Sequence, residues 1–252
     1  MGWKIQGNFI FQLNDKSDHE KSVNEIVFAK HKDTQKTLIP DLYCLRGFKN
    51  ELDIPDFIPF MNKKPKGLFI GSTAGKETVE ENERLQMCKY WDSQRRRQSP
   101  CNFEIYFYHV CQMKDEDIVA SFSTFPFYKK EEMSIQEQRN YRYCISIDGN
   151  TSCWNRPIWI LQSNSLLLKK SSKNVSWYSS LMEKGKHYVE FEDGEDLHFK
   201  IDLLNRIFEK DPERIHNIFM NAHQFVKDYI SPYAHDVYFG YVLHYMSEKF
   251  II

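Results

Sequence analysis

The sequence predicts an α/β fold built on a parallel sheet, and three observations predict it. From Gly67 onward, short apolar runs alternate with amphipathic segments, the rhythm of strand, helix and strand. Two of the apolar runs end in small polar residues, "IGSTAGKET" and "SIDGNTSCWNRP", where parallel strands would open toward a ligand. The rest of the chain carries strong helix starts, such as Asp211 followed by Pro212, an N-cap with proline at the first helical position.

The elements follow in order. "NFIFQL" (Asn8 to Leu13) reads as a short strand ending at the polar loop "NDKSD". "EIVFAKH" is a second strand, and "LIPDLYCL" is a third or an irregular segment. "FKNELDIPDFIPFMNKKPKG", with its prolines, reads as a connection and a lobe boundary. "GLFIGST" is an apolar strand, and "KETVEENERLQMCKYWDSQRRR" a helix with Leu85, Cys88 and Trp91 at helical spacing. "FEIYFYHV" is a strand, "SIQEQRNYRY" a helix, and "YCISI" a strand. "NRPIWILQSN" is helical, with Pro157 in its first turn, followed by strands "SLLLKK" and "HYVEF". In "DLHFKIDLLNRIFEKD" the spacing places Phe199, Leu203, Leu204, Ile207 and Phe208 on one helical face. Two more helices close the chain.

At 252 residues the chain can bury a substantial core as one large domain or two small lobes. A net charge of -1 gives no electrostatic footprint for nucleic acid or a membrane surface. The aromatic content of 15% suits a core first and a planar or sugar-like ligand second. The six cysteines form no CxxC pair, so a zinc ribbon is not expected; free thiols in a reducing, cytoplasmic compartment are. The N-terminus has no signal-peptide apolar core, and no apolar run reaches the length of a membrane span.

The two strand-to-helix junctions carry the chemistry. Small residues at a strand end let backbone amides approach a ligand, and the following helix start favours phosphate. "GSTAG" lacks the Gly-Lys-Ser/Thr of a P-loop and on its own reads first as an ordinary tight turn. Arg156 stands beside Gly149, Asn150, Thr151 and Ser152, where a guanidinium fork matches a diphosphate. The alternative for Arg156 is a surface ion pair. Taken together, the two junctions suggest a nucleotide-diphosphate site.

The stretch "YRYCISIDGNTSCWNRPIWILQSNSLLLKK…WYSSLMEKGKHYVEF" resembles the signature region of the protein O-glucosyltransferases and the capsule- and lipopolysaccharide-modifying glycosyltransferases, glycosyltransferase family ninety. The matching residues are Asp148-Gly149-Asn150, Trp154, Arg156, Ser163, Ser165, Lys169, Trp177-Tyr178 and His187-Tyr188-Val189. "LFIGSTAGKETVEENERLQMC" is similar to a second family segment at Gly71, Ser72, Thr73, Gly75, Asn82, Arg84 and Leu85. The resemblance covers most of residues 65 to 245. Three departures stand out: Asn155 inserted before Arg156, Ile70 where the family commonly has Arg, and Ser176 where it often has an acid.

The resemblance implies a GT-B-like fold, with a Rossmann-type donor lobe and a reduced N-terminal lobe. The expected division is 1–66 for the acceptor-side lobe, 67–233 for the donor lobe, and 234–252 for a C-terminal helix packing back on the first lobe. It implies inverting transfer of a sugar, glucose or xylose, from a UDP-sugar to a glycan, lipid-linked saccharide or protein hydroxyl. No cofactor and no divalent metal are expected. Arg156 is implied as the contact to the donor diphosphate and Asp15, in "IFQLNDKSD", as the base, with Asp18 and His19 close by. The implied donor-binding residues are Gly71, Ser72, Thr73, Gly75, Arg84, Asp148, Gly149, Asn150, Thr151, Ser152, Trp154, Ser165 and Trp177. Two other readings remain open. One is a GT-A-type enzyme holding a metal on Asp115 and Asp117 of "KDEDIV"; the other is an inactive nucleotide- or carbohydrate-binding module. "QRRRQ" is expected to be a solvated helix end, and His216 and His223 to be packing residues rather than metal ligands.

Overall fold

The computed structural model describes residues 10–12, 25–41, 55–113, 126–129 and 131–249. Asp15, Asp18 and His19, and the Asp115/Asp117 pair, lie outside the described residues.

The centre of the molecule is a parallel sheet of β5 (Lys64–Ser72), β6 (Phe103–His109), β7 (Tyr141–Ser146), β8 (Leu166–Lys170) and β10 (Val189–Phe191). The strands lie in the order β10-β8-β7-β5-β6, all parallel. The α/β expectation is therefore met, with a Rossmann-type sheet. Counted along the chain this is the doubly wound order in which the winding reverses between the first and third strands, here β5 and β7. Connections leave β5 and β7 in opposite directions, so a crevice must open between their carboxyl ends.

Helices cover both faces, as a parallel sheet buried on each side requires. Helix α1 (Glu83–Arg96) and helix α4 (Gly194–Lys210) close one face, burying Leu85, Cys88, Trp91, Leu197, Ile201 and Leu204 against Phe103, Ile105, Tyr143 and Ile145. On the other face lies α3 (Arg156–Leu161), following the single-turn α2 (Ile135–Gln138); its Ile158, Trp159, Ile160 and Leu161 meet Cys144 and Leu167. Helix α5 (Pro212–Phe225) adds Phe219 to the first cluster and Ala222 and Phe225 to the second.

The N-terminal segment contributes a second, three-stranded parallel sheet, β1 (Ile10–Gln12), β2 (Glu25–Val27) and β4 (Thr37–Leu38). Between them β3 (Ala29–His31) pairs antiparallel with β9 (Asn174–Ser176), tying this segment to the large sheet's domain. The last helix, α6 (Pro232–Lys249), packs Val242 and Met246 against Ile26, Phe28 and Ile39.

Four local readings differ from the sequence expectation. Helix α1 starts at Glu83, because the Asn82 side chain accepts the Arg84 and Leu85 N–H groups and caps it there, leaving Lys76 to Glu81 in turns. "SIQEQRNYRY" keeps one helical turn, bounded by the Ser134–Glu137 capping box, before β7 begins. In α4 the buried face is Leu197, Ile201 and Leu204, with Ile207 and Phe208 at its margin, while Phe199 and Leu203 are 57% and 41% exposed. Phe199 is two residues from Leu197, about 200° around the helix, and so on the far side.

The fourth difference is the boundary expected at residues 66 and 67, which falls inside β5. The preceding stretch is locked to the amino edge of the sheet. Lys63 and Asp56 have side chains 0% and 3% exposed and lie 2.7 Å apart. Lys63 Nζ also donates to the Arg139 carbonyl and to Ser165 Oγ at 3.0 Å. The Asp56 carboxylate accepts the N–H groups of Ile58 and Asn164 at 3.1 and 2.8 Å. Burial pulls the Lys63 ammonium below its ordinary value, and Asp56 pulls it back up. Removing one partner strands the other charge in the interior. Lys63→Met is expected to cost about 3–5 kcal/mol of stability, and Asp56→Asn added to it to restore part. Urea denaturation measures both, and a Lys63→Met protein as stable as the parent refutes the clamp.

Candidate active site

The crevice at the β5/β7 reversal is lined by two basic side chains that arrive from opposite faces of the sheet. Arg84 stands in the first turn of α1, 9% exposed. Its Nη1 donates to the Ser72 carbonyl at 3.0 Å, and its Nε and Nη2 donate to the Ile147 carbonyl at 3.2 and 3.1 Å. Nε also reaches the Asp148 carbonyl at 3.2 Å. The guanidinium thus joins the carboxyl end of β5 to the residues that follow β7. Arg156 is the first residue of α3 and comes from the other face. Its Nη2 donates to the Ile70 carbonyl and its Nη1 to Gln138 Oε1 at 3.4 Å.

Both guanidinium groups lie over one ring. Arg156 Cζ is 4.9 Å and Arg84 Cζ 5.5 Å from the Phe69 centroid, within cation–π range. Gly71 permits this, since a Cβ there would come within 3.1 Å of Phe69 Cζ and 3.6 Å of Arg156 Nη2. Neither arginine forms an ion pair with a carboxylate among the described residues. Burial pulls the Arg156 guanidinium below its ordinary value, and Arg84 adds to that. A buried and a partly buried positive charge side by side favour an anion between them.

The space beside them is a cavity of about 270 Å³, lined by Gly71, Ser72, Arg84, Gly149 to Ser152, Trp154 and Arg156. A Cβ on Gly149 would come within 3.1 Å of Arg84 Nη2 and 3.3 Å of the Ala74 carbonyl, so glycine is what lets the loop close over Arg84. The loop is braced by Asp148 Oδ1, which accepts the Cys153 N–H at 3.2 Å. Gly149 and Asn150 also line a larger cavity of about 550 Å³, whose far wall includes His31, Lys32 and Lys170 to Asn174. The Lys32 N–H donates to the Lys173 carbonyl at 2.8 Å and holds that wall together. Small-molecule sites run to about 300–1,000 Å³, so the pair of cavities suits a ligand of nucleotide size.

Most of the sequence-predicted residues converge here: Gly71, Ser72, Arg84, Gly149, Asn150, Thr151, Ser152, Trp154 and Arg156 on the smaller cavity, and Gly75, Asp148, Gly149 and Asn150 on the larger. Three do not. Thr73 is fully buried, its hydroxyl donating to the Cys111 carbonyl at 2.8 Å and accepting the Cys111 N–H at 2.9 Å, so it pins the loop to the end of β6. Ser165 precedes β8 at the amino edge, bonded to Lys63 and to the Tyr141 carbonyl, at the opposite end of the strand from the crevice. Trp177 is buried against Tyr178, His235 and Tyr238 and lines neither cavity.

Sequence reasoning missed Phe69, Tyr108 and Cys153. Tyr108 and Cys153 line the smaller cavity, and Cys153 Sγ lies 3.7 Å from Arg84 Nη2. The alternation of β5, which puts Phe69 and Gly71 on one face, was the available signal for Phe69.

The other features have structural partners. Arg95 and Arg96 pair with Asp92 at the end of α1, His223 Nε2 meets the Ser163 carbonyl at 2.9 Å, and His216 packs edge-on to Phe219. The five described cysteines are free. Among the described residues no three His, Cys, Asp or Glu groups are placed to hold a metal, and no helix is long and apolar enough to cross a membrane.

Known proteins resemble this chain at three levels. Among solved structures, TarM aligns over 76% of this chain and 37% of its own, at 11% identity and a TM-score of 0.48. HepE of Anabaena, solved in complex with UDP-glucose, aligns over 90% and 57%, at 10% identity and a TM-score of 0.43. The O-glucosyltransferase LpsA of Dichelobacter nodosus is 27% identical over 180 residues, 71% of this chain and 48% of LpsA, so the chain spans about half the length of that curated relative. Residues 52–249 match the model of glycosyl transferase family 90, the greater part of the sequence, and the chain belongs to that family.

Proposed function

We propose that the chain transfers a sugar from a UDP-sugar to a hydroxyl of a glycan, a lipid-linked saccharide or a protein, with inversion and without a divalent metal. The observation that carries the reading is the pair of guanidinium groups, Arg84 and Arg156, held over Phe69 at the strand reversal with no ion-paired carboxylate among the described residues. Family membership supports the same chemistry, and the name of the LpsA relative favours glucose over xylose.

In this reading the diphosphate occupies the smaller cavity. Arg84 is spent on backbone carbonyls and acts as a positioning residue, with its charge still facing the anion. Arg156 supplies the contact that strengthens as the diphosphate departs. Gly149 to Ser152 bring short side chains and backbone close to the phosphate oxygens. A carboxylate takes the proton of the acceptor hydroxyl, and the hydroxyl oxygen bonds to the anomeric carbon as the bond to the diphosphate oxygen breaks. Asp15 is the group proposed for that role, on the family resemblance alone.

Two substitutions test the assignment through release of UDP from UDP-glucose and UDP-xylose by the full chain. Arg156→Ala should lose about 2.7–4 kcal/mol of transition-state stabilisation, the loss typical of a preorganised contact to developing charge. Arg156→Lys should recover only part of that, because the planar fork is gone. Turnover by a folded Arg156→Ala protein equal to that of the parent would show that the charge is handled elsewhere. Asp15→Asn should slow transfer by about a hundredfold to ten-thousandfold while leaving UDP binding intact. An undiminished rate would remove Asp15 from the mechanism.

A further inference from the structure

Asp148 follows β7 at the crevice, and its side chain is 3% exposed. The carboxylate is only half satisfied. Oδ1 accepts the Cys153 N–H at 3.2 Å and lies 3.8 Å from Lys169 Nζ. Oδ2 is buried and has no hydrogen-bond donor among the described residues. A carboxylate oxygen removed from water and left without a donor is unfavourable, and a ligand that brings a donor relieves it.

The position of Asp148 decides which part of a ligand that is. It lines the larger cavity and is absent from the wall of the smaller, arginine-bearing one. The smaller cavity carries the charge of Arg84 and Arg156 with no lining carboxylate among the described residues, whereas in the larger one Lys32, Lys76, Lys170 and Lys173 are matched by Glu81, Glu83, Glu192 and Asp148, a balance that suits a neutral group. Among the described residues, the wall of the larger cavity carries Lys, Glu, Asp, Asn, Ser, His and Gly but no aliphatic or aromatic hydrocarbon side chain. That lining fits a group covered in hydroxyls and gives an apolar group nothing to bury against.

We infer that Asp148 is a specificity residue that accepts a hydrogen bond from one hydroxyl of the transferred sugar. The inference rests on the nucleotide-sugar reading above and adds to it where the sugar ring lies and which side chain selects it. The shared loop Gly149–Asn150 borders both cavities, so one ligand reaches from Arg156 to Asp148 across it.

Calorimetric titration of the full chain with UDP, UDP-glucose and the monodeoxy UDP-glucose series tests this. Asp148→Asn keeps an oxygen for the Cys153 N–H while replacing the free acceptor. The variant should hold UDP as the parent does and bind UDP-glucose about tenfold or more weakly, the usual loss for a hydrogen bond to a charged group. In the parent, one deoxy analogue should lose a similar factor; in Asp148→Asn that analogue and UDP-glucose should bind alike, since the two changes remove one interaction. Equal UDP-glucose affinity in parent and variant overturns the inference while leaving the nucleotide-sugar reading standing. Should the variant fail to fold, a parent that binds every deoxy analogue as tightly as UDP-glucose overturns it as well. A parent that binds neither UDP nor any UDP-sugar overturns the nucleotide-sugar reading and this inference together.

Discussion

The guanidinium of Arg84 is the joint on which the site depends. A sheet whose winding reverses between β5 and β7 opens a gap between the carboxyl ends of those two strands. Arg84 fills the gap with one planar group that donates to Ser72, Ile147 and Asp148. A lysine ammonium is a point charge with three donors rather than a planar fork, so it would not hold these carbonyls in the same fixed geometry. With the strand ends fixed, the loop Gly149–Cys153 has one place to lie, and Arg156 is brought in over the same phenyl ring from the opposite face. The positive charge of the crevice follows from a structural need as well as a functional one.

The opposite edge of the sheet is held in a different way. There a buried Lys63–Asp56 pair gathers the chain before β5, the residues after α2 and the start of β8 through Arg139, Asn164 and Ser165. Both ions are fully hydrogen-bonded, which is the condition under which burying a pair is tolerated. A rigid amino edge and an open, cationic carboxyl edge are the two ends of the same strands. β7 runs from Tyr141, whose carbonyl accepts the Ser165 hydroxyl, to Ser146 at the threshold of the Asp148 loop.

Much of this was legible in the sequence wherever the signal was local. Glycine, serine and threonine after an apolar run, Pro157 after Arg156, and the Asp211–Pro212 start each declare their own conformation within a few residues. What was not legible depended on neighbours distant in the chain. Ser165 sits in a recognisable motif, but the motif does not say that the serine opens its strand and so lies at the far edge. Thr73 has the same composition signal as Ser72, yet its hydroxyl is taken by Cys111, two residues past the end of the adjacent strand. The three residues of β9 are too short and polar to read as a strand; they become one by pairing with Ala29–His31. Phe69 reads as core, and it is core, but its ring also receives two cations that arrive from sequence positions far beyond it.

The central claim is that the crevice between β5 and β7 is a diphosphate seat completed by Arg156. A crystal structure of the full chain with UDP bound tests it most directly. The account predicts the diphosphate in the smaller cavity, its oxygens within hydrogen-bond distance of the Arg156 guanidinium and of backbone in Gly149 to Ser152, with Arg84 still bonded to the strand-end carbonyls. UDP found elsewhere on the surface, or in the crevice with its diphosphate turned away from Arg156, would contradict it.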